Sequence, residues 1–331
     1  MQSIPDRVSV IVPVYNSAQS LPILVEELSR ILSANTAQYE LVLVNDGSRD
    51  NSWSIITDLV DTHSWISAIN LMRNYGQHNA LLCGIRQAQY AITVTIDDDL
   101  QHPPDEIPKL LMKLAKGYDV VYGTSQHQQH GLLRDLASTI TKLVLQEAMG
   151  AQTARNISAF RAFRTQLRDA FTIYRGPYVS IDVLLTWGTS RFAAVTVRND
   201  LRKYGASTYT LRKLILHAFN MLTGFSVWPL QAASFTGFVF TLFGIGILFY
   251  VVGRYIINGG SVPGFPFLAS IIAMFSGVQL FTLGIIGEYL ARMHFRTMDK
   301  PAYAVREIAG ISALPPTRDE AEVRDRSRAM S

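Results

Sequence analysis

Val8-Ser9-Val10-Ile11-Val12-Pro13-Val14, followed by Tyr15-Asn16-Ser17, decides the fold. Seven residues dominated by β-branched side chains read as a buried strand, and the polar trio ends it. Leu21, Leu24, Val25, Leu28, Ile31 and Leu32 then recur at helical spacing, with Asn16 or Ser17 placed to cap that helix. A strand, a turn and an amphipathic helix make one half of a βαβ unit.

The same alternation continues outward. Glu40 to Val44 reads as a buried strand, and Asp50 or Ser52 starts a helix carrying Ile55, Ile56, Leu59 and Val60. Ala68 to Leu71 and Ile92 to Ile96 read as strands. Pro103 and Pro104 occupy a first helical turn, where a missing N–H costs nothing, ahead of Ile107, Leu110, Leu111 and Leu114. Gly117 ends that helix and Val120 to Tyr122 is a further strand. Strands alternating with amphipathic helices predict a parallel, doubly wound α/β sheet, with ligands beyond the carboxyl ends of its strands. From Arg134 to Phe171 the chain reads as mainly helical, followed by a mixed segment to Lys203.

Charge divides the chain of 331 residues unevenly. Charged residues make up 17% of it, yet from Leu214 to Gly287 the only Asp, Glu, Lys or Arg is Arg254. Residues 232–253 and 267–287 are each long and apolar enough to cross about 30 Å of hydrocarbon. An entirely soluble protein is excluded, and so is a polytopic transporter. Arg202, Lys203, Arg212 and Lys213 precede the first span, and Arg292, Arg296 and Lys300 follow the second, which places both flanks in the cytoplasm. Residues 211–226 read as an amphipathic helix at the membrane surface. The expected organisation is a cytoplasmic domain over 1–210, that surface helix, the membrane segment over 227–290 and a cytoplasmic tail over 291–331, charged and disordered from about Pro315. The short polar start, Met1 to Arg7, encodes no export signal, so the N-terminal domain and both termini are expected at the cytoplasmic face of the inner membrane.

Other classes fall away on composition. Cys83 is the single cysteine, so no internal disulfide forms, and no Cys/His cluster has zinc-ligand spacing. His127 and His130 sit in a polar run and read as solvated loop residues. A net charge of +4 without an aromatic-interleaved basic stripe argues against nucleic acid. No Gly-x-Gly-x-x-Gly follows a strand, which argues against a dinucleotide oxidoreductase.

The strongest chemical signal is Asp97-Asp98-Asp99-Leu100-Gln101-His102-Pro103-Pro104, directly after an apolar strand. Three adjacent carboxylates repel one another unless a cation is bound. In an extended segment Asp97 and Asp99 point one way with Gln101 in phase, and Asp98 the other, a set of hard oxygen donors suited to Mg²⁺ or Mn²⁺ shared with a diphosphate. The alternative is a solvated turn with an acidic helix cap. Asn45-Asp46-Gly47-Ser48 either holds a base or ribose through Asp46 or is an ordinary Asp-Gly turn. Tyr15 either stacks on a base or packs.

In order and spacing, Val10 to Asn16, Val44 to Ser48, Arg73-Asn74-Tyr75-Gly76-Gln77-His78 and Asp97 to Pro104 resemble the motifs of family 2 glycosyltransferases. Phe160 to Arg164, Arg202 to Tyr209 and Gly287 to Leu290 narrow the resemblance to polyisoprenyl-phosphate glycosyltransferases, over residues 7 to 305. The resemblance implies a GT-A catalytic domain, Rossmann-like with a mostly parallel sheet, joined to a C-terminal two-helix transmembrane hairpin. It implies metal-dependent transfer, with inversion, of a sugar from a nucleotide sugar, usually a UDP-sugar, to a polyprenyl (undecaprenyl) phosphate, giving a lipid-linked donor for the cell envelope. Carried over by position, Pro13, Tyr15, Asn16, Asp46, Gly76, Asp97 and Asp98 hold the nucleotide sugar, with Asp46 on the uracil. Asp99 and Gln101, with Asp97, ligate Mn²⁺ or Mg²⁺. Arg202 reaches a phosphate, while Arg134 and Arg161 meet the lipid phosphate. A homo-oligomer, such as a tetramer, follows from relatives that assemble through two such spans.

The chain also departs from that pattern. Ser125 stands where relatives carry an arginine, Ala159 where many carry an aspartate, and Thr208 where a lysine is usual. Those departures motivate a second reading, a membrane-anchored nucleotide-sugar-binding scaffold with degraded acceptor chemistry. A processive polysaccharide synthase lacks support, because a Gln-x-x-Arg-Trp segment and further spans are absent.

Overall fold

The computed structural model describes residues 7–124, 157–176, 179–200, 228–258, 264–298 and 300–310. Of these, residues 7–200 and 301–310 belong to one compact unit and residues 228–300 to a second.

The first unit is built on eight strands: β1 (Arg7–Val14), β2 (Gln38–Asn45), β3 (Ile66–Leu71), β4 (Ile92–Thr95), β5 (Val120–Thr124), β6 (Arg161–Arg164), β7 (Phe192–Thr196) and β8 (Val305–Ala309). They form one sheet in the order β7-β5-β6-β4-β1-β2-β3-β8. Only β6 and β8 run against the rest. Helices α1 (Leu21–Asn35), α2 (Ser52–Thr62), α3 (Gln77–Gln87), α4 (Ile107–Ala115) and α5 (Ile181–Thr186) accompany the strands. The chain reverses direction of growth at β1, which pairs with β2 on one side and β4 on the other. That is the topological switch point, where two adjacent strands send their following loops apart and leave a crevice.

Alternation along β1 sorts its two faces. Val8, Val10, Val12 and Val14 share a buried cluster with Leu21, Leu24, Val25 and Leu28 of α1 and with Ile107, Leu110 and Leu111 of α4. On the opposite face α3 presses onto the sheet, and a Cβ on Gly84 would collide with the Ile11 Cγ2 methyl. Pro13 falls beyond the last β1–β4 pair, Ile11 with Thr95, so its missing N–H removes no ladder bond there.

Three readings change. Asn16 sits at φ 56°, a left-handed conformation that asparagine tolerates, and α1 begins only after Ser20, past a turn closed by Ser20 N–H on the Ser17 carbonyl (3.1 Å). Residues 161–164 are a strand rather than part of a helical run: they pair with β4 and β5 on either side, and Arg161, Ala162 and Phe163 are buried in succession, so both faces of the strand are covered. Within the span expected to be tail, Val305–Ala309 adds to the β3 edge.

The second unit holds α6 (Trp228–Asn258) and α7 (Phe265–Thr297), both apolar and containing segments long enough to cross a membrane, Pro229–Ile257 and Met274–His294. At 1.5 Å per residue the helices run about 46 and 50 Å, so they outreach the hydrocarbon and the expected spans. Phe240 and Phe275 meet edge to face at 5.8 Å, and Gly244 lets Phe275 approach α6.

Candidate active site

Three loops and one acidic turn converge beyond the carboxyl ends of β1, β2, β3 and β4. Asp46 follows β2 and is only 3% exposed. Its two carboxylate oxygens accept the backbone N–H groups of Tyr75 (2.7 Å) and Gly76 (2.8 Å), at the entrance to α3. Burial nonetheless outweighs those bonds and pushes its carboxyl up to about 6. The turn after it requires Gly47, which sits at φ 65° with its missing Cβ position 2.6 Å from the Arg73 and Asn74 backbone. Gly76, at φ 95°, turns the third loop and offers its carbonyl to Asn79 and Ala80, starting α3.

The acidic segment is not a continuation of β4. The strand ends at Thr95, and the chain bends through Asp98 and Asp99. Leu100, at φ 59°, closes the bend with its side chain in the core, 5% exposed, so burial of an apolar side chain offsets a left-handed backbone costing about 1–2 kcal/mol. The three carboxylates are thereby sorted by partner. Asp98 accepts Tyr15 N–H (3.1 Å) and the Ser17 hydroxyl (2.5 Å), tying the turn to the loop after β1, and burial raises its carboxyl to about 6. Asp97 accepts the Gln77 side-chain amide at 2.5 Å, and Asp99 accepts the Gln101 N–H at 3.1 Å. Asn16 joins the loops after β1 and β2, donating to the Ser48 hydroxyl (3.0 Å) and accepting from Arg49 N–H (2.7 Å).

Tyr15, Asn16, Asp46, Gly76, Asp97, Asp98, Asp99 and Gln101 are therefore gathered at one end of the sheet. Tyr15 is 38% exposed, available for stacking, whereas Pro13 is buried within β1. Asp200 donates its N–H to the Gln101 carbonyl (2.8 Å), two residues before Arg202. Arg202, Arg134, Ser125, His127, His130 and the amphipathic stretch 211–226 lie outside the described residues. Ser17 and Gln77 are site residues that composition and spacing did not single out; Gln77 stood within a quoted motif without a role.

Arg161, expected at a lipid phosphate, stands at the start of β6. It is 1% exposed, ion-paired with Asp182, and donates from Nε to the Thr95 hydroxyl at 3.1 Å. Tyr122 donates to the same Asp182 oxygen that receives Arg161 (2.9 Å), and Thr95 donates to the Ala159 carbonyl (2.7 Å). This network braces the ends of β4, β5 and β6 beneath the acidic turn. His102 stacks on Phe160 at 5.3 Å, and burial holds its imidazole below the usual range, hence neutral at pH 7.

The donor chemistry fits a hard divalent cation. Among the described residues no three His, Cys, Asp or Glu side chains form a metal cage. Two carboxylates and an amide oxygen, Asp97, Asp99 and Gln101, suit Mg²⁺ or Mn²⁺ completed by phosphate oxygens and water.

Comparison with known proteins converges on the same segments. A model described as Glycosyl transferase family 2 matches residues 9–173. The undecaprenyl-phosphate 4-deoxy-4-formamido-L-arabinose transferase of Yersinia enterocolitica is 34% identical over 307 residues, 92% of this chain and 94% of its own length. A protein of the same description from Yersinia pestis is 33% identical over 316 residues, 95% and 97% of the two chains. The crystal structure of mannosyl-3-phosphoglycerate synthase from Rubrobacter xylanophilus superposes with a TM-score of 0.50 at 16% identity, covering 65% of this chain and 71% of that one, a likeness of fold. With its motif-bearing loops on a mostly parallel sheet and relatives matched nearly end to end, the chain belongs to the family 2 glycosyltransferases of the polyisoprenyl-phosphate type.

Proposed function

We propose that the protein transfers a sugar from a nucleotide sugar, a UDP-sugar, to undecaprenyl phosphate with inversion at C1, giving a lipid-linked sugar for the cell envelope. The observation that carries the reading is the meeting of the Asp46 loop and the Asp97–Asp99 turn at the switch point. In this reading Asp46, ionised, accepts the imide N–H of the uracil, since its two bonds to Tyr75 and Gly76 leave acceptor capacity. Tyr15 stacks on the base and Asn16 lines the ribose side. Asp97, Asp99 and Gln101 hold a divalent cation, which supplies charge neutralisation to the departing diphosphate. Gln77 keeps Asp97 oriented toward that position, and Asp98 holds Tyr15 in place.

A polyprenyl monophosphate, with a second pKa near 6, is already largely anionic at neutral pH, so little general-base assistance is needed. This makes Ala159 compatible with turnover. Bringing two anionic phosphates together is the harder part, and Arg134 and Arg202 are proposed to do so by charge neutralisation and orientation. Arg161, buried against Asp182, is assigned to bracing the strand ends instead. The helices α6 and α7 anchor the chain in the inner membrane that contains the acceptor, with the catalytic unit and both termini cytoplasmic, and a homo-oligomer is part of the same proposal.

The test is incubation of detergent-purified protein with undecaprenyl phosphate and a panel of UDP- and GDP-sugars, with and without Mn²⁺. The name of the Yersinia relatives makes 4-deoxy-4-formamido-L-arabinose the first sugar to try. A lipid-linked product that needs the cation is expected, and Asp99→Asn should lower turnover about a thousandfold, some 4 kcal/mol in the barrier. Full turnover by Asp99→Asn overturns the metal assignment. Nucleotide sugar bound without transfer to any acceptor favours the scaffold reading, for which Ala159 is the motivating observation.

A further inference from the structure

Strand β8 follows both apolar helices in the chain, yet it lies against the nucleotide end of the sheet. Three side chains cross from it in a single row. Asn70 donates to Glu307 Oε1 (2.8 Å), Asn45 donates to Asn70 Oδ1 (2.8 Å), and Ser48 N–H donates to Asn45 Oδ1 (3.3 Å). Every donor points the same way, from the turn after β2 toward the Glu307 carboxylate. The register sets this up: Asn45 pairs with Asn70 across β2 and β3, and Asn70 with Glu307 across β3 and β8. Asn45 and Asn70 are 2% and 6% exposed, so each amide would be costly to leave unmatched.

The same segment also fastens the neighbouring loop. Met72 N–H donates to the Ala304 carbonyl (2.9 Å), and Arg306 donates to the Met72 carbonyl (3.1 Å). Met72 is the residue before Arg73, whose backbone Gly47 touches, and the loop continues to the Tyr75 and Gly76 amides that hold Asp46. Both loops that form the Asp46 pocket are thus tied to residues 304–307.

We infer that Glu307 is a positioning residue for the nucleotide site, acting through Asn70 and Asn45 on the Asp46-Gly47-Ser48 turn. The inference rests on the reading of Asp46 as a nucleoside ligand. Without an acceptor at 307, the Asn70 amide turns to find another partner, Asn45 follows, and Ser48 loses its anchor. Glu307 itself is exposed and on an edge strand, so its removal leaves the core intact.

The test compares wild type, Glu307→Ala and Glu307→Gln by calorimetric titration with UDP and Mn²⁺, together with KM and kcat for the nucleotide sugar. Glu307→Ala should weaken UDP binding and raise KM roughly three- to tenfold, the loss of about one hydrogen bond, with kcat nearly unchanged. Glu307→Gln keeps an amide oxygen as acceptor and should restore wild-type affinity. A lowered melting temperature with unchanged UDP affinity in Glu307→Ala makes the strand merely structural and overturns the inference. So does equal loss in both variants. Wild-type protein that binds neither UDP nor GDP sinks the reading of Asp46 itself, and the inference with it.

Discussion

Apolar side chains meet opposite fates in the two units. In β1 and β2, Val8, Val10, Leu41 and Leu43 are fully buried, whereas in α6 Phe235 is 69%, Phe249 72% and Ile257 81% exposed. The sheet does the reverse with charge, enclosing Arg161 and Asp182 as a matched pair, while Arg254 is the only charged residue of α6. Apolar residues facing outward along some 46 Å of helix have no place in water, but they suit hydrocarbon. The contrast teaches that each unit is built for its own solvent.

The largest effect should come from unbalancing the buried pair. Arg161→Met leaves Asp182 uncompensated and should cost about 3–5 kcal/mol of stability, measured by urea unfolding followed through tryptophan fluorescence. Adding Asp182→Leu should recover most of it. A single substitution that is as stable as wild type would mean the network contributes little to the sheet.

Next in size is the helical unit. Leu242, 53% exposed in the middle of α6, replaced by arginine should cost about 3 kcal/mol of membrane insertion, seen as increased extraction by alkaline carbonate. A helix facing water would accept the same change without effect, so this variant separates the two solvents directly.

A third prediction opposes stability to binding within one residue. The Asp46 carboxyl rises from 3.8 to about 6 on folding, so between those values the native state binds more protons than the unfolded one. Its contribution to stability is therefore fully present below about pH 4 and is lost as pH rises through 6. In the proposed role, ionised Asp46 is the form that would accept a base N–H. Between pH 7 and pH 5 UDP affinity should fall by up to tenfold, and Asp46→Asn should remove that pH dependence in titration calorimetry. The smallest effect is expected for Phe240→Ala, which removes the edge-to-face contact with Phe275 and should weaken association of α6 with α7 by about 1 kcal/mol, read from thermal unfolding in detergent.

The central strands were legible because continuous β-branched runs can only be buried, and the helices because their apolar positions repeat at 3.6 residues. Strand β6 escaped because Arg161 and Arg164 flank only two apolar residues, a pattern that reads as solvated. The buried partner that makes Arg161 tolerable, Asp182, is 21 residues away, and spacing along a chain does not reveal it. Strand β8 escaped for the complementary reason: Val305-Arg306-Glu307-Ile308-Ala309 is an edge strand whose exposed polar residues carry little hydrophobic signal. Within the site, the acidic turn was legible as chemistry but not as shape. Alternation separates Asp98 from Asp97, but the partners they find, the loop after β1 and Gln77, lie 83 and 20 residues away along the chain, and local spacing does not reveal them.

The late position of β8 also bears on how the protein is made. Asn70 and its partner Glu307 are 237 residues apart, and the whole membrane segment is synthesised between them. At about 5–20 residues per second, the β3 edge waits roughly ten to fifty seconds on the ribosome before its final strand emerges. During that interval the nascent sheet presents unpaired N–H and C=O groups that could join another chain. Completion of the sheet beside the Asp46 loops thus follows synthesis of both apolar helices, and a chain truncated after α7 would leave the ribosome with an open sheet edge.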